Sequence, residues 1–126
     1  MKTSEALRLA DEMGLPDRHG VYVEGAVRNW GGEKPPCCAV GGAAIAAGLR
    51  ITPEKGVVPA WQISAATRPN TSDWAALPNA VACPVEGCYR NEKWCGDTGI
   101  ISHLYERHRW SRTRIADWLD TLEVTA

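Results

Sequence analysis

Residues 83–108 read CPVEGCYRNEKWCGDTGIISHLYERH, and their interpretation decides how the rest of the chain is understood. Two cysteines with four residues between them precede two histidines with four residues between them, in the spacing Cys83-x4-Cys88-x14-His103-x4-His108. Thiolate and imidazole are the donors that a zinc ion takes, four at a time in a tetrahedron. Pro84 and Gly87 suit a tight knuckle between the cysteines. We therefore expect one Zn2+ ion held by Cys83, Cys88, His103 and His108. Four protein ligands leave no open position on the ion, so its expected role is structural. A catalytic ion would need one ligand fewer and a carboxylate such as Glu106 beside it. Cys95 is a spare thiol that could replace a histidine.

Asp97 or Thr98 is placed to cap a helix carrying Ile101, Leu104, Tyr105 and His108. Five residues of ideal helix turn through about 500°, which leaves His103 and His108 roughly 140° apart around the axis. The helix must distort or end at His108, and Arg109-Trp110-Ser111 permits that. The whole pattern resembles the two-cysteine, two-histidine zinc finger. In that family an apolar core residue lies three positions before the first histidine and an aromatic one nine before it; here these are Ile100 and Trp94, with two extra residues after Cys88. The resemblance implies a ββα unit. It also places the base-reading positions at Gly96, Gly99 and Ser102, two of which have no side chain, so reading of base edges in the usual docking is not expected. Arg107, Arg109, Arg112 and Arg114, with Trp110 among them, form a basic cluster able to touch phosphates. It is interleaved with Glu106, Asp117 and Asp120, which reads as a solvated helix face.

Outward from this unit, Ser111 can cap a last helix in which Ile115, Trp118, Leu119 and Leu122 make an apolar stripe, over residues 112–123. Upstream, Ser4 can cap a helix over 5–13 with Ala6, Ala10 and Met13 on one face and Gly14 ending it. Val21-Tyr22-Val23 reads as a short strand, and residues 24–36 as a loop. The run Cys37-Cys38-Ala39-Val40-Gly41-Gly42-Ala43-Ala44-Ile45-Ala46-Ala47-Gly48 reads as a buried helix of small residues stopped by Gly48. Residues 53–80, with four prolines, read as irregular apart from a turn of helix after Ser72. The expected fold is mainly α with a small β component. It forms a single domain over 1–126, comprising a helical part at 1–52, an irregular connection at 53–80 and, at 81–126, the ββα zinc-finger-like unit followed by a helix. Without the ion, helices 5–13 and 38–48 are expected to persist as a partly folded core.

At 126 residues the chain is long enough for a real core. Its 14 basic and 15 acidic side chains create no overall field to gather nucleic acid or anionic lipid. No stretch has the length of a membrane span, and the N-terminus lacks the apolar run of a signal peptide, so the cytoplasm is the expected compartment and no membrane partner is expected. Five cysteines in such a chain read as metal ligands or buried thiols. Cys37 and Cys38 stand at a helix N-terminus, where a thiol can be made acidic and nucleophilic, and only His19 is left to serve as its base. Neither glycine pair, Gly31-Gly32 or Gly41-Gly42, fits a phosphate-cradling motif.

Cys38-Ala39-Val40-Gly41, taken with His103-Leu104, His108-Arg109-Trp110-Ser111-Arg112 and Ile115-Ala116-Asp117-Trp118-Leu119, resembles a group of small uncharacterised proteins of actinobacteria and their bacteriophages. Their closing segment has the form H-L-N-x-x-H-x-W-S-R-x-x-I-A-D-W-L, and Tyr105 stands here where Asn is common. Arg outnumbers Lys 10 to 4, as a GC-rich genome writes. The resemblance implies origin and fold, and places the chain in host cytoplasm if it is phage-encoded. The leading expectation for function is a non-enzymatic, zinc-stabilised binding module, an accessory protein acting on a host protein. Six tryptophans suggest more aromatic surface than one small core uses, and a homo-oligomer is compatible with this reading. The alternative is a nucleic-acid-binding regulator using Arg107 to Arg114 and helix 112–123. A cysteine-dependent enzyme comes third.

Overall fold

The computed structural model describes residues 1–20, 36–48, 68–74, 77, 83–88 and 99–122. Among these residues the chain forms four helices and no β-strand: α1 (Thr3–Glu12), α2 (Ala39–Ala46), α3 (Gly99–Glu106) and α4 (Arg112–Asp120). As far as it is described the fold is all-α, which corrects the expected ββα unit and small β component. The cysteines sit on a turn closed by Cys88 N–H to Val85 C=O at 3.2 Å, with Gly87 at φ 77°, and the described residues 83–88 contain no strand. Ligand spacing reports where donors must stand around an ion; a turn meets that demand without a sheet. The β-type pairing among the described residues is one isolated bridge between Asp17 and Cys37. The strand expected at Val21-Tyr22-Val23, the loop after it as far as residue 35, Trp94, Cys95, and the caps Asp97 and Thr98 lie outside the described residues.

Helix ends follow local chemistry where the partners are local. Gly14 takes φ 74° and closes α1 with Gly14 N–H to Asp11 C=O at 2.9 Å and Leu15 N–H to Ala10 C=O at 3.1 Å, the paired bonds of a Schellman ending. Ser111 caps α4, its Oγ accepting from Arg114 N–H at 3.1 Å, and Cys38 caps α2, its Sγ accepting from Gly41 N–H. The start of α1 differs from expectation. Ser4 is inside the helix and buried, and the first turn is capped twice: locally, by Glu5 Oε2 accepting from Lys2 N–H at 3.2 Å, and from far away, by Asp73 Oδ1 accepting from both Thr3 N–H and Thr3 Oγ1 at 2.8 Å. A carboxylate at a helix N-terminus satisfies open N–H groups and the helix dipole together.

One core joins the four helices. Ala6, Leu7 and Ala10 of α1, Val40, Ala43 and Ala44 of α2, Ile100, Ile101 and Leu104 of α3, and Ile115, Ala116 and Leu119 of α4 belong to a single buried cluster. α1 packs against both α2 and α4, and α3 lies against the same two. Small residues bring the backbones close: a Cβ placed on Gly42 would stand 3.2 Å from Ala10 Cβ and 2.8 Å from Arg112 Nε. Gly42→Ala should therefore destabilise the chain, although alanine is the better helix former by about 1 kcal/mol, because the buried guanidinium cannot swing aside. Overpacking of this kind costs about 1–3 kcal/mol and should lower the melting temperature by roughly 5–10 °C. A melting temperature at or above wild type would contradict this packing. No helix among the described residues is long and apolar enough to cross a membrane.

Candidate metal centre

Three segments bring the four expected ligands together: the 83–88 turn, α3 and the turn that follows α3. The 83–88 turn presents Cys83 and Cys88, both half-buried, while α3 presents His103, which is buried. His108 is not on that helix. α3 ends at Glu106, residues 107 and 108 form a turn, Arg109 takes φ 58°, and Trp110 N–H bonds back to Leu104 C=O at 3.1 Å. A non-glycine residue in the left-handed region is uncommon. Here it redirects the chain after His108, toward Trp110 and Ser111. His108 itself escapes the roughly 140° separation of a continuous helix because α3 has already ended at Glu106, and its ring lies beside that of His103.

The ligand atoms converge. Cys88 Sγ lies 3.4 Å from His103 Nε2 and 3.2 Å from His108 Nε2, and Cys83 Sγ lies 3.4 Å from His108 Nε2. All four ligand atoms fall within 4.8 Å of one another, and the two imidazoles meet edge to face with centroids 4.9 Å apart. A Cys–His hydrogen bond would need one sulfur and one nitrogen. Two of each, with both nitrogens the same Nε2 atom, face one point, and the residues are close enough to hold a metal ion. Among the described residues this is the group of His, Cys, Asp and Glu side chains that meets such a criterion.

Further contacts brace α3 from the 17–20 segment, and sequence reading did not pick them out. Tyr105 donates its hydroxyl to Asp17 Oδ1 at 2.8 Å, the His19 ring stacks on Tyr105 with centroids 4.2 Å apart, and Gly20 N–H donates to Glu106 Oε2 at 2.6 Å. Burial raises the Tyr105 pKa, helped by its bond to Asp17, and burial likewise raises the Glu106 carboxyl against the opposing Gly20 N–H. Glu106, the carboxylate named for an open site, is thus engaged with Gly20.

The residues expected to bind a partner are divided by the structure. Arg107, Arg109 and Arg114 are exposed, and the Arg114 guanidinium lies 4.1 Å from the centroid of the half-buried Trp110 ring. Arg112 does not join them: it is 1% exposed and its guanidinium bonds to Asp11 and to the carbonyls of Leu15, Pro16 and Cys37. Expecting it on a surface fails because these carbonyls converge from segments distant in sequence. Trp74 and Trp118 pack half-buried against the core, as Trp110 does, while Trp30, Trp61 and Trp94 lie outside the described residues.

Cys37 and Cys38 are 0% and 2% exposed. Burial pushes their thiols up to about 11 and about 12, outweighing the Arg112 cation near Cys37 and the Gly41 N–H at Cys38. A nucleophile needs access and thiolate character, and neither thiol has them. A thiol reagent at neutral pH should leave both unmodified in the native chain and label them on unfolding, read by peptide mass. Rapid native labelling at either cysteine would restore the cysteine-enzyme reading.

Fold and site together define a class: an all-α chain, as far as it is described, with a Cys2His2 group close enough to hold a metal ion. The chain matches no protein-family model, no curated protein and no solved structure.

Proposed function

We propose that this chain is a non-enzymatic binding module whose C-terminal part is held together by one structural zinc ion. The observation that carries this reading is the convergence of Cys83, Cys88, His103 and His108. Zinc–sulfur bonds of about 2.3 Å and zinc–nitrogen bonds of about 2.0 Å at a tetrahedral angle set sulfur and nitrogen about 3.5 Å apart. The three sulfur–nitrogen separations here, 3.2 to 3.4 Å, are close to that value. Equal numbers of thiolate and imidazole donors favour zinc over magnesium or calcium, which take oxygen. Four protein ligands close the site, and the engagement of Glu106 with Gly20 supports a stabilising ion over one that activates water.

An accessory role in a bacteriophage of actinobacteria is supported by the closing motif from His103 to Leu119. The expectation of a host-protein partner drew on surface tryptophans; with Trp74, Trp110 and Trp118 half-buried, its remaining support is the resemblance. Native mass measurement of protein purified without added metal should show one zinc per chain, released by a strong chelator. Protein that carries no zinc and takes up none when it is supplied would overturn the reading.

A further inference from the structure

Four arginines lie between residues 107 and 114, and one of them, Arg112, is turned into the core. Arg107, Arg109 and Arg114 remain exposed and make no ion pair with a described carboxylate. The acids interleaved with them in sequence are engaged elsewhere. Asp117 and Asp120 both hold Arg8, at 2.8 and 2.7 Å, on the side of α4 that meets α1. Glu106 directs Oε2 to Gly20 N–H; Arg109 lies within its field but makes no bond to it. What reads as mixed charge along the chain is, in space, a positive turn.

That turn is built rigidly. Trp110 N–H is fixed to Leu104 C=O, Ser111 caps α4, and the Arg114 guanidinium rests on the Trp110 ring. We propose that the turn at 107–114 contacts the phosphodiester backbone of nucleic acid, with Arg107, Arg109 and Arg114 as its phosphate ligands. All three cations are guanidiniums, whose planar fork matches phosphate oxygens two at a time, as it also does carboxylates. The described surface favours nucleic acid over a protein or a membrane on a second ground. The exposed large apolar side chains among the described residues are confined to Met1, so the described surface lacks the apolar centre that protein docking or membrane insertion uses, whereas nucleic-acid interfaces are polar and positive. Backbone contact without base reading fits Ser102, which is buried at the place where a finger helix would read a base. The inference rests on the zinc reading in one respect, that His108 anchors the start of the turn.

The test is fluorescence anisotropy of labelled single-stranded and duplex DNA with the full chain, with zinc content measured in the same preparation. Three phosphate contacts predict a log–log salt slope of about −2 for single strands and about −3 for duplex, a loss of roughly 20- to 40-fold between about 50 and about 200 mM salt. A triple variant, R107A with R109A and R114A, should keep its zinc and helical signal, bind at least tenfold more weakly at low salt, and lose most of the slope. Zinc-loaded protein that fails to bind at low salt, a triple variant that binds as wild type does, or polyglutamate that binds as well as DNA would each overturn the proposal. The metal reading stands or falls separately, on the zinc content.

Discussion

Stripping the metal is expected to unfold more of this chain than the segment that carries the ligands. The free energy with which a closed zinc site binds its ion is also folding free energy, on the order of 10 kcal/mol in small fingers. A whole domain retains only about 5–15 kcal/mol. His103 is buried next to Leu104, and Ile100, Ile101 and Leu104 share one core with α1, α2 and α4. A loosened α3 therefore opens the apolar faces of α2 and α4, and the continuous core argues against an independently surviving pair of N-terminal helices. Cys88→Ala, at a half-buried position, and chelation of the unaltered chain should both abolish the cooperative transition or lower it by more than about 20 °C. Agreement between the two separates metal loss from packing loss. A chelated chain that is free of metal and melts where the untreated one does would show that the four residues only pack.

The second large effect lies at Arg112, a charge that the fold buries completely. Its Nη1 donates to Leu15 C=O at 2.7 Å and to Asp11 Oδ1 at 3.1 Å, and its Nη2 donates to Cys37 C=O at 2.9 Å and Pro16 C=O at 3.3 Å. One guanidinium thus ties the start of α4 to the end of α1 and the entry of α2, and lies against Gly42. Arg112→Met fills much of the volume but leaves those carbonyls and Asp11 without their donor. Breaking a buried pair in this way costs about 3–5 kcal/mol, against an unmeasurable change for a surface arginine. Arg112→Lys should recover only part of the loss, because a single ammonium cannot span the fork of acceptors. Urea melts of the two variants measure both quantities; a loss below about 1 kcal/mol for Arg112→Met would contradict the clamp.

How far the sequence reveals this molecule depends on whether the deciding partner is near or far along the chain. Ser111 and Gly14 act on backbone groups within a few residues, so the start of α4 and the end of α1 are legible. The start of α1 is only partly legible, because one of its two capping carboxylates, Asp73, comes from a distant segment, while the other, Glu5, is local. The four ligands are legible from donor type and spacing alone. The strands were borrowed from the finger resemblance and do not follow from the ligands. His108 is misplaced by a helix pattern that runs on in sequence past Glu106, where the helix ends in the structure. Arg112 is the clearest limit. On a helix wheel it belongs to a solvated face, and only the meeting of Leu15, Pro16 and Cys37 carbonyls makes it an interior residue.

The most direct test of the account is X-ray absorption at the zinc edge of the purified chain. The closed site predicts a first shell of two sulfurs at about 2.3 Å and two nitrogens at about 2.0 Å, and no bound zinc in Cys88→Ala. A shell with three sulfurs, a water or carboxylate oxygen in place of a histidine, or no bound metal at all in the unaltered chain would contradict it.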